Sequence, residues 1–170
     1  MSEEQTIKVL EGNLDGSYVC GVRIVAAKYN RTIVDGLIEG AVKILREQGV
    51  KDKMIQIARV PGAFEIPLAL MQPKGEICNK GSEHHMQIHA QIALGCVIRG
   101  ETAHFDQVVA QCSRGVMKAS LRLNMPIGFG VLAVDNIEQA RARSGGTSNR
   151  GEEAALAALE MAKLLPSLPN

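Results

Sequence analysis

Tryptophan is absent from this chain, aromatics are few, with three Phe and two Tyr in 170 residues, and neither sign of charge dominates. A net charge of +1 offers no strongly basic surface to nucleic acid and no acidic tail, so no nucleic-acid partner is expected. No apolar stretch approaches the roughly 20 residues a membrane-spanning helix needs, and no membrane partner is expected either. The opening MSEEQTIKVLEG has neither the basic start and apolar block of a secretory signal nor the Arg- and Ser-rich character of a transit peptide. Cys20, Cys78, Cys96 and Cys112 form no C-x-x-C pair, and two of them lie inside apolar runs, where a cysteine behaves as a small buried hydrophobe. We read them as reduced thiols of a cytoplasmic protein.

What is present is an average globular composition, 46% hydrophobic and 22% charged, in a chain long enough to bury one core. Residues 1–170 are expected to form a single domain, with 1–15 as an N-terminal arm. Four runs rich in branched aliphatics predict buried strands: Val22–Ala27, Met54–Val60, Ile92–Ile98 and Ile127–Val134. Helical spacing lies between them. Leu37, Ile38, Ala41, Val42 and Leu45 share one face ahead of Gly49, and Phe105, Val108, Val109, Cys112, Val116 and Ala119 share another. A last helix is expected from about Glu152 to Leu165, before Pro166. Strands alternating with helices predict a parallel sheet covered on both faces, a doubly wound α/β sandwich. The segment 71–91 breaks the pattern. Pro73, Gly75, Asn79 and Gly81 argue for an extended loop or a broken helix, followed by His84, His85 and His89. Cysteine and carboxylate do not stand there at zinc-ligand spacing, so no metal site is expected.

In such sheets ligands bind beyond the carboxyl ends of the strands. Those ends are polar here: Lys28-Tyr29-Asn30, Pro61-Gly62-Ala63-Phe64-Glu65, Arg99-Gly100-Glu101-Thr102-Ala103-His104, and Asp135-Asn136. The few aromatics gather there too. Tyr29 and Phe64 fall where a ring can stack on a flat heterocycle, whereas Phe105, on the apolar helix face, reads as core and Phe64 is open to either role. Gly100-Glu101-Thr102 is predicted to open a helix, whose unpaired backbone N–H groups favour an anion such as phosphate. His104 falls in the first turn of that helix, at a strand end beside the anion site, a location suited to passing protons. No G-x-G-x-x-G, G-x-x-x-x-G-K-[ST] or G-x-S-x-G motif occurs, which disfavours dinucleotide, P-loop and serine-nucleophile chemistry. Arg141, Arg143 and Arg150 flank a Gly-rich turn between two helices, and spacing alone makes them dipole compensation rather than a phosphate clamp.

Taken together, RVPGAFEIPLAL, GCVIRGETAHFDQVV, PIGFGVLAVDNIEQARARSG and NRGEEAALAALEMAKLL closely resemble the lumazine synthase family of riboflavin biosynthesis, in order from about Gly12 to Leu165. Four ordered motifs at compatible spacings are more specific than any one of them. The resemblance implies a flavodoxin-like three-layer α/β/α sandwich with a four-stranded parallel sheet. It also implies condensation of 5-amino-6-(D-ribitylamino)uracil with 3,4-dihydroxy-2-butanone 4-phosphate, releasing phosphate and water, without metal or organic cofactor. By the family pattern Tyr29 stacks on the pyrimidine and Asn30 follows it. Ala63, Phe64 and Glu65, with Cys96, Val97 and Ile98, match positions lining the uracil and its ribityl chain. Glu101 and Thr102 match the phosphate-binding turn, and His104 matches the proton-transfer histidine. The family pocket lies between subunits, so the resemblance implies that a neighbour supplies Phe129 as a wall and Arg143 as phosphate ligand. Arg150 stands where many members carry Lys.

A homopentamer, alone or within an assembly of pentamers, is implied; the shared pocket gives the pentamer but not a closed shell, and riboflavin synthase is the implied protein partner. Two features depart from the family: 71–91 is longer than the usual link, and Ser144–Arg150 differs from the GTKAGNKG-like turn often associated with icosahedral shells. The rival readings are an archaeal-type riboflavin synthase, a lumazine-binding shell protein without catalysis, and a generic flavodoxin-like binding module.

Overall fold

The computed structural model describes residues 8–15, 21–72 and 87–169. Strands β1 (Val22–Ala27), β2 (Ile55–Val60), β3 (Ala90–Ile98) and β4 (Ile127–Val134) form one parallel sheet in the order β2-β1-β3-β4. The two central strands are apolar nearly throughout, because a strand with neighbours on both sides and helices on both faces has no polar side to present.

Alternate residues of the strands serve opposite layers. Ile24, Ala26, Ile92, Leu94, Leu132 and Val134 pack with α1 (Arg31–Glu47), α4 (Ile137–Ser144) and α5 (Arg150–Leu164). Val25, Ala27, Ala93, Val97 and Val131 pack with α2 (Ile66–Leu70) and α3 (His104–Leu123) on the other face. The result is a three-layer α/β/α sandwich with the flavodoxin-like strand order.

The helices follow their apolar spacing. Helix α1 buries Ile33, Val34, Leu37, Ile38, Ala41, Ile44 and Leu45 on one stripe and stops where Gly49 takes a left-handed conformation, φ 89°. That reversal lets the Val50 N–H reach the Leu45 carbonyl at 2.8 Å. Asn124, φ 45°, ends α3 in the same way, with the Met125 N–H on the Ser120 carbonyl at 3.1 Å. Helix α5 lies against β4 at a distance only glycine permits: a Cβ on Gly128 would stand 1.9 Å from the Ala154 carbonyl oxygen.

The observed elements depart from the sequence expectation in particulars. Met54 closes a 3-10 turn, Asp52–Met54, ahead of β2, and β2 is an edge strand only half buried. Helix α3 begins at His104, so Gly100–Thr102 is the turn leading into it and not its opening residues. Strand β3 starts two residues earlier than the aliphatic run suggests, with Gln91 buried inside it. Within 71–91, residues 73–86 lie outside the described chain. No helix among the described residues is long and apolar enough to cross a membrane.

Candidate functional site

A cleft of about 740 Å³ opens at the carboxyl ends of β1, β2 and β3. Its position follows from topology. Strand β1 connects outward to β2 on one side of the sheet centre, while β3 connects outward to β4 on the other, so the chain diverges from the β1–β3 boundary and leaves a crevice there. The cleft walls are the residues that follow each strand, completed by one side of α3.

The turn after β1 is built by its neighbours. The Lys28 N–H donates to the Val60 carbonyl at 2.8 Å and the Tyr29 N–H to the Pro61 carbonyl at 3.2 Å, which binds this turn to the end of β2. Asn30 then takes a left-handed conformation (φ 53°, ψ 46°), which asparagine tolerates better than most side chains do. Its Nδ2 donates to the Cys96 carbonyl at 2.9 Å, tying the turn to β3 as well. Arg59 braces it from below, with Nη1 3.4 Å from the Ala27 carbonyl and its guanidinium paired with Asp35, and the Arg59 hydrogen bond holds the Asp35 carboxyl below its ordinary range. With its backbone fixed, the Tyr29 ring projects freely, 74% exposed.

After β2, the Glu65 carboxylate reaches back to accept from the Gly62 N–H at 2.9 Å, closing the 3-10 turn Ala63–Glu65. Phe64 is consequently 58% exposed at the cleft and is not a core residue. Two aromatic rings on fixed turns give the mouth of the cleft flat apolar faces.

After β3, the chain turns through Gly100–Ala103 into α3. Ala103 stands at the helix cap position and supplies no side-chain hydrogen bond, so the first-turn N–H groups have no capping side chain. Thr102 and His104 bring a hydroxyl and an imidazole to the same wall. Phe105 is buried, as its place on the apolar helix face predicts. Cys96 also lines the cleft, yet burial pushes its thiol up to about 11, as it does for Cys112, which keeps both protonated and poor nucleophiles at neutral pH. This cleft can stack a flat ring, offer amides to an anion and pass protons.

The structure therefore brings Tyr29, Asn30, Ala63, Phe64, Glu65, Cys96, Val97, Ile98, Thr102 and His104 to one cleft. Glu101, Phe129, Arg143 and Arg150 do not line it. Phe129 stands on β4 with its ring 48% exposed, Arg143 donates from Nη1 to the Gln139 carbonyl of its own helix at 3.2 Å, and Arg150 pairs with Glu153. Gln107 and Val108 also line the cleft, although the sequence pattern did not mark them as site residues. Their position three and four residues after His104 is the signal that could have found them, since those spacings share a helix face. Among the described residues no cluster of three or more His, Cys, Asp or Glu could hold a metal ion; Cys20, Cys78, His84 and His85 lie outside those residues.

Comparison with known proteins gives one consistent result. Residues 20–166 match the family model described as 6,7-dimethyl-8-ribityllumazine synthase. Two curated proteins of that name, from Xanthomonas campestris pv. campestris strains B100 and 8004, are each 44% identical to this chain over 147 residues, covering 86% of it and 90% of the relative.

Proposed function

This chain belongs to the 6,7-dimethyl-8-ribityllumazine synthase family of riboflavin biosynthesis, and from that membership we propose that it condenses 5-amino-6-(D-ribitylamino)uracil with 3,4-dihydroxy-2-butanone 4-phosphate. The products are 6,7-dimethyl-8-ribityllumazine, phosphate and water. The observation that supports this most directly is the gathering of Tyr29, Phe64, Thr102 and His104 around one cleft at the strand ends.

In this reading Tyr29 and Phe64 hold the planar uracil, and Asn30, Ala63, Glu65 and Cys96–Ile98 line it and its ribityl chain. The turn Glu101–Thr102 and the uncapped first turn of α3 hold the phosphate, where the helix dipole favours an anion. Each step needs a proton moved. Attack of the amine on the ketone shifts a proton from nitrogen to oxygen before water leaves as the imine forms. Loss of phosphate removes a carbon-bound proton as the C–O bond breaks. Ring closure by the ribityl-bearing nitrogen expels a second water. His104 serves as the relay, its imidazole carrying one nitrogen that can give a proton and one that can take it. Both substrates are already reactive, so alignment of amine and ketone is the main catalytic device.

The whole chain, 1–170, acts as one synthase domain in a cytoplasmic homopentamer, single or assembled further, with riboflavin synthase downstream as its partner. Phe129 and Arg143, turned away from their own cleft, complete the cleft of a neighbouring copy. Mixing the full-length protein with the two substrates and following lumazine absorbance tests the reading. Formation of product at a rate proportional to protein is expected; product binding without turnover would favour a carrier instead.

A further inference from the structure

The guanidinium of Arg99 joins three elements around the turn that carries His104. Its Nε donates to Asp135 Oδ1 at 3.2 Å, just past the end of β4, and its Nη1 lies 3.2 and 3.3 Å from the two oxygens of Asp106 in α3. Its Cζ stands 4.1 Å from the centroid of the Phe105 ring, a cation–π distance. The backbone adds a fourth tie, the Arg99 N–H donating to the Val134 carbonyl at 2.9 Å. Arg99 and Asp106 thus close a loop that contains Gly100, Thr102 and His104, all facing the cleft.

That loop has little else to hold it. Residues 100–104 are exposed, Ala103 contributes no cap, and a Cβ placed on Gly100 would meet no atom within 4 Å. A lone exposed ion pair fixes little, but one planar group that forks to two carboxylates and lies on a buried ring restricts position and orientation together. We propose that Arg99 is a positioning residue, which holds the Gly100–His104 turn in the one shape that aims the imidazole and the turn amides into the cleft. This rests on the condensation proposed above.

The test compares initial rates of lumazine formation by the full chain and its Arg99→Gln, Arg99→Lys, His104→Ala and His104→Ala/Arg99→Gln variants. Arg99→Gln is expected to lower kcat by roughly ten- to a hundredfold, as small displacements of a catalytic group do, with KM for the uracil substrate changed less than about twofold. In the His104→Ala background the same change should cost kcat clearly less than it does in the wild type, since the imidazole is gone and only the turn amides remain to be displaced. Arg99→Lys should recover only part of the rate, because an ammonium keeps the charge but cannot fork or stack. An unchanged kcat, or the same loss in both backgrounds, overturns the proposal. Amide hydrogen exchange probes the turn itself, whether or not the chain turns over substrate. Arg99→Gln should speed exchange across residues 100–106 by about tenfold or more while α5 is unaffected. Absence of that local change overturns the positioning even in a chain that makes no lumazine, a result that by itself would remove only the condensation.

Discussion

Asn149 reaches from the start of α5 to the backbone of Gly36 in α1, its Nδ2 donating to that carbonyl at 2.9 Å and to the Ser144 carbonyl at 3.0 Å. Its Oδ1 accepts from the Gly151 N–H at 2.8 Å and caps α5. One buried amide therefore joins α1, the end of α4 and the start of α5. Asn149→Ala leaves the Ser144 carbonyl and the Gly151 N–H without this partner and takes a second bond from the Gly36 carbonyl, and a loss of about 2–4 kcal/mol is expected, from roughly 1–3 kcal/mol per buried unsatisfied group with partial relaxation. Asn149→Asp should do no better, because a carboxylate cannot donate to two carbonyls. Urea unfolding midpoints decide it; a shift within error would show that water replaces the side chain.

Two glycines should respond oppositely to the same methyl group. Gly128→Ala drives a Cβ into the Ala154 backbone and must separate α5 from β4, an overpacking cost of about 1–3 kcal/mol. Gly100→Ala meets open space and should leave stability within about 0.5 kcal/mol, while lowering turnover because the methyl sits in the cleft. Thermal melts and initial rates on both variants separate packing from function. A destabilised Gly100→Ala, or one with full activity, would contradict this placement.

The sequence spacing located these elements unevenly, for identifiable reasons. Strands β1 and β4 coincide with their aliphatic runs because polar residues or turn formers bound them. Gly100-Glu101-Thr102 has the look of a helix start, with Thr102 a good capping type, yet the cap position falls on Ala103, which gives no signal of where the helix begins. Strand-end residues such as Tyr29 and Phe64 are legible because topology alone assigns ligands to strand ends. Gln107 and Val108 are not, since the apolar spacing of α3 reads as a core face and hides the flank turned to the cleft. Phe129 and Arg143, proposed to serve a neighbour's cleft, carry no signal for that role in one chain's periodicity. Only the ordered motifs of a family could single them out.

The two buried thiols tie stability to alkaline pH. Burial raises Cys96 and Cys112 from 9.0 to about 11, so the unfolded chain releases these protons before the folded one does. Their contribution is complete below about pH 9 and is lost as pH rises through about 11. Cys112→Ala should lower stability overall by leaving a small cavity, yet its unfolding midpoint should fall less steeply than the wild type's across that window. Parallel slopes would mean that Cys112 titrates alike in both states.

Arg143 bonds to its own helix and stands away from its own cleft, while His104 lines it, so the two substitutions should behave differently alone and complement each other together. His104→Ala should lower kcat by roughly ten- to a thousandfold with binding largely kept, the range for one acid–base group. Arg143→Ala should instead raise KM for the phosphorylated ketone, because a charge-assisted contact to its phosphate is lost. Co-expressed subunits of the two kinds would then form intact clefts wherever a chain with His104 adjoins one with Arg143, about a quarter of interfaces in a random ring. The hybrid should therefore exceed the mean of its parents at ketone concentrations below the raised KM. Activity equal to that mean would place the arginine's action within its own protomer and leave the cleft to be completed by other groups.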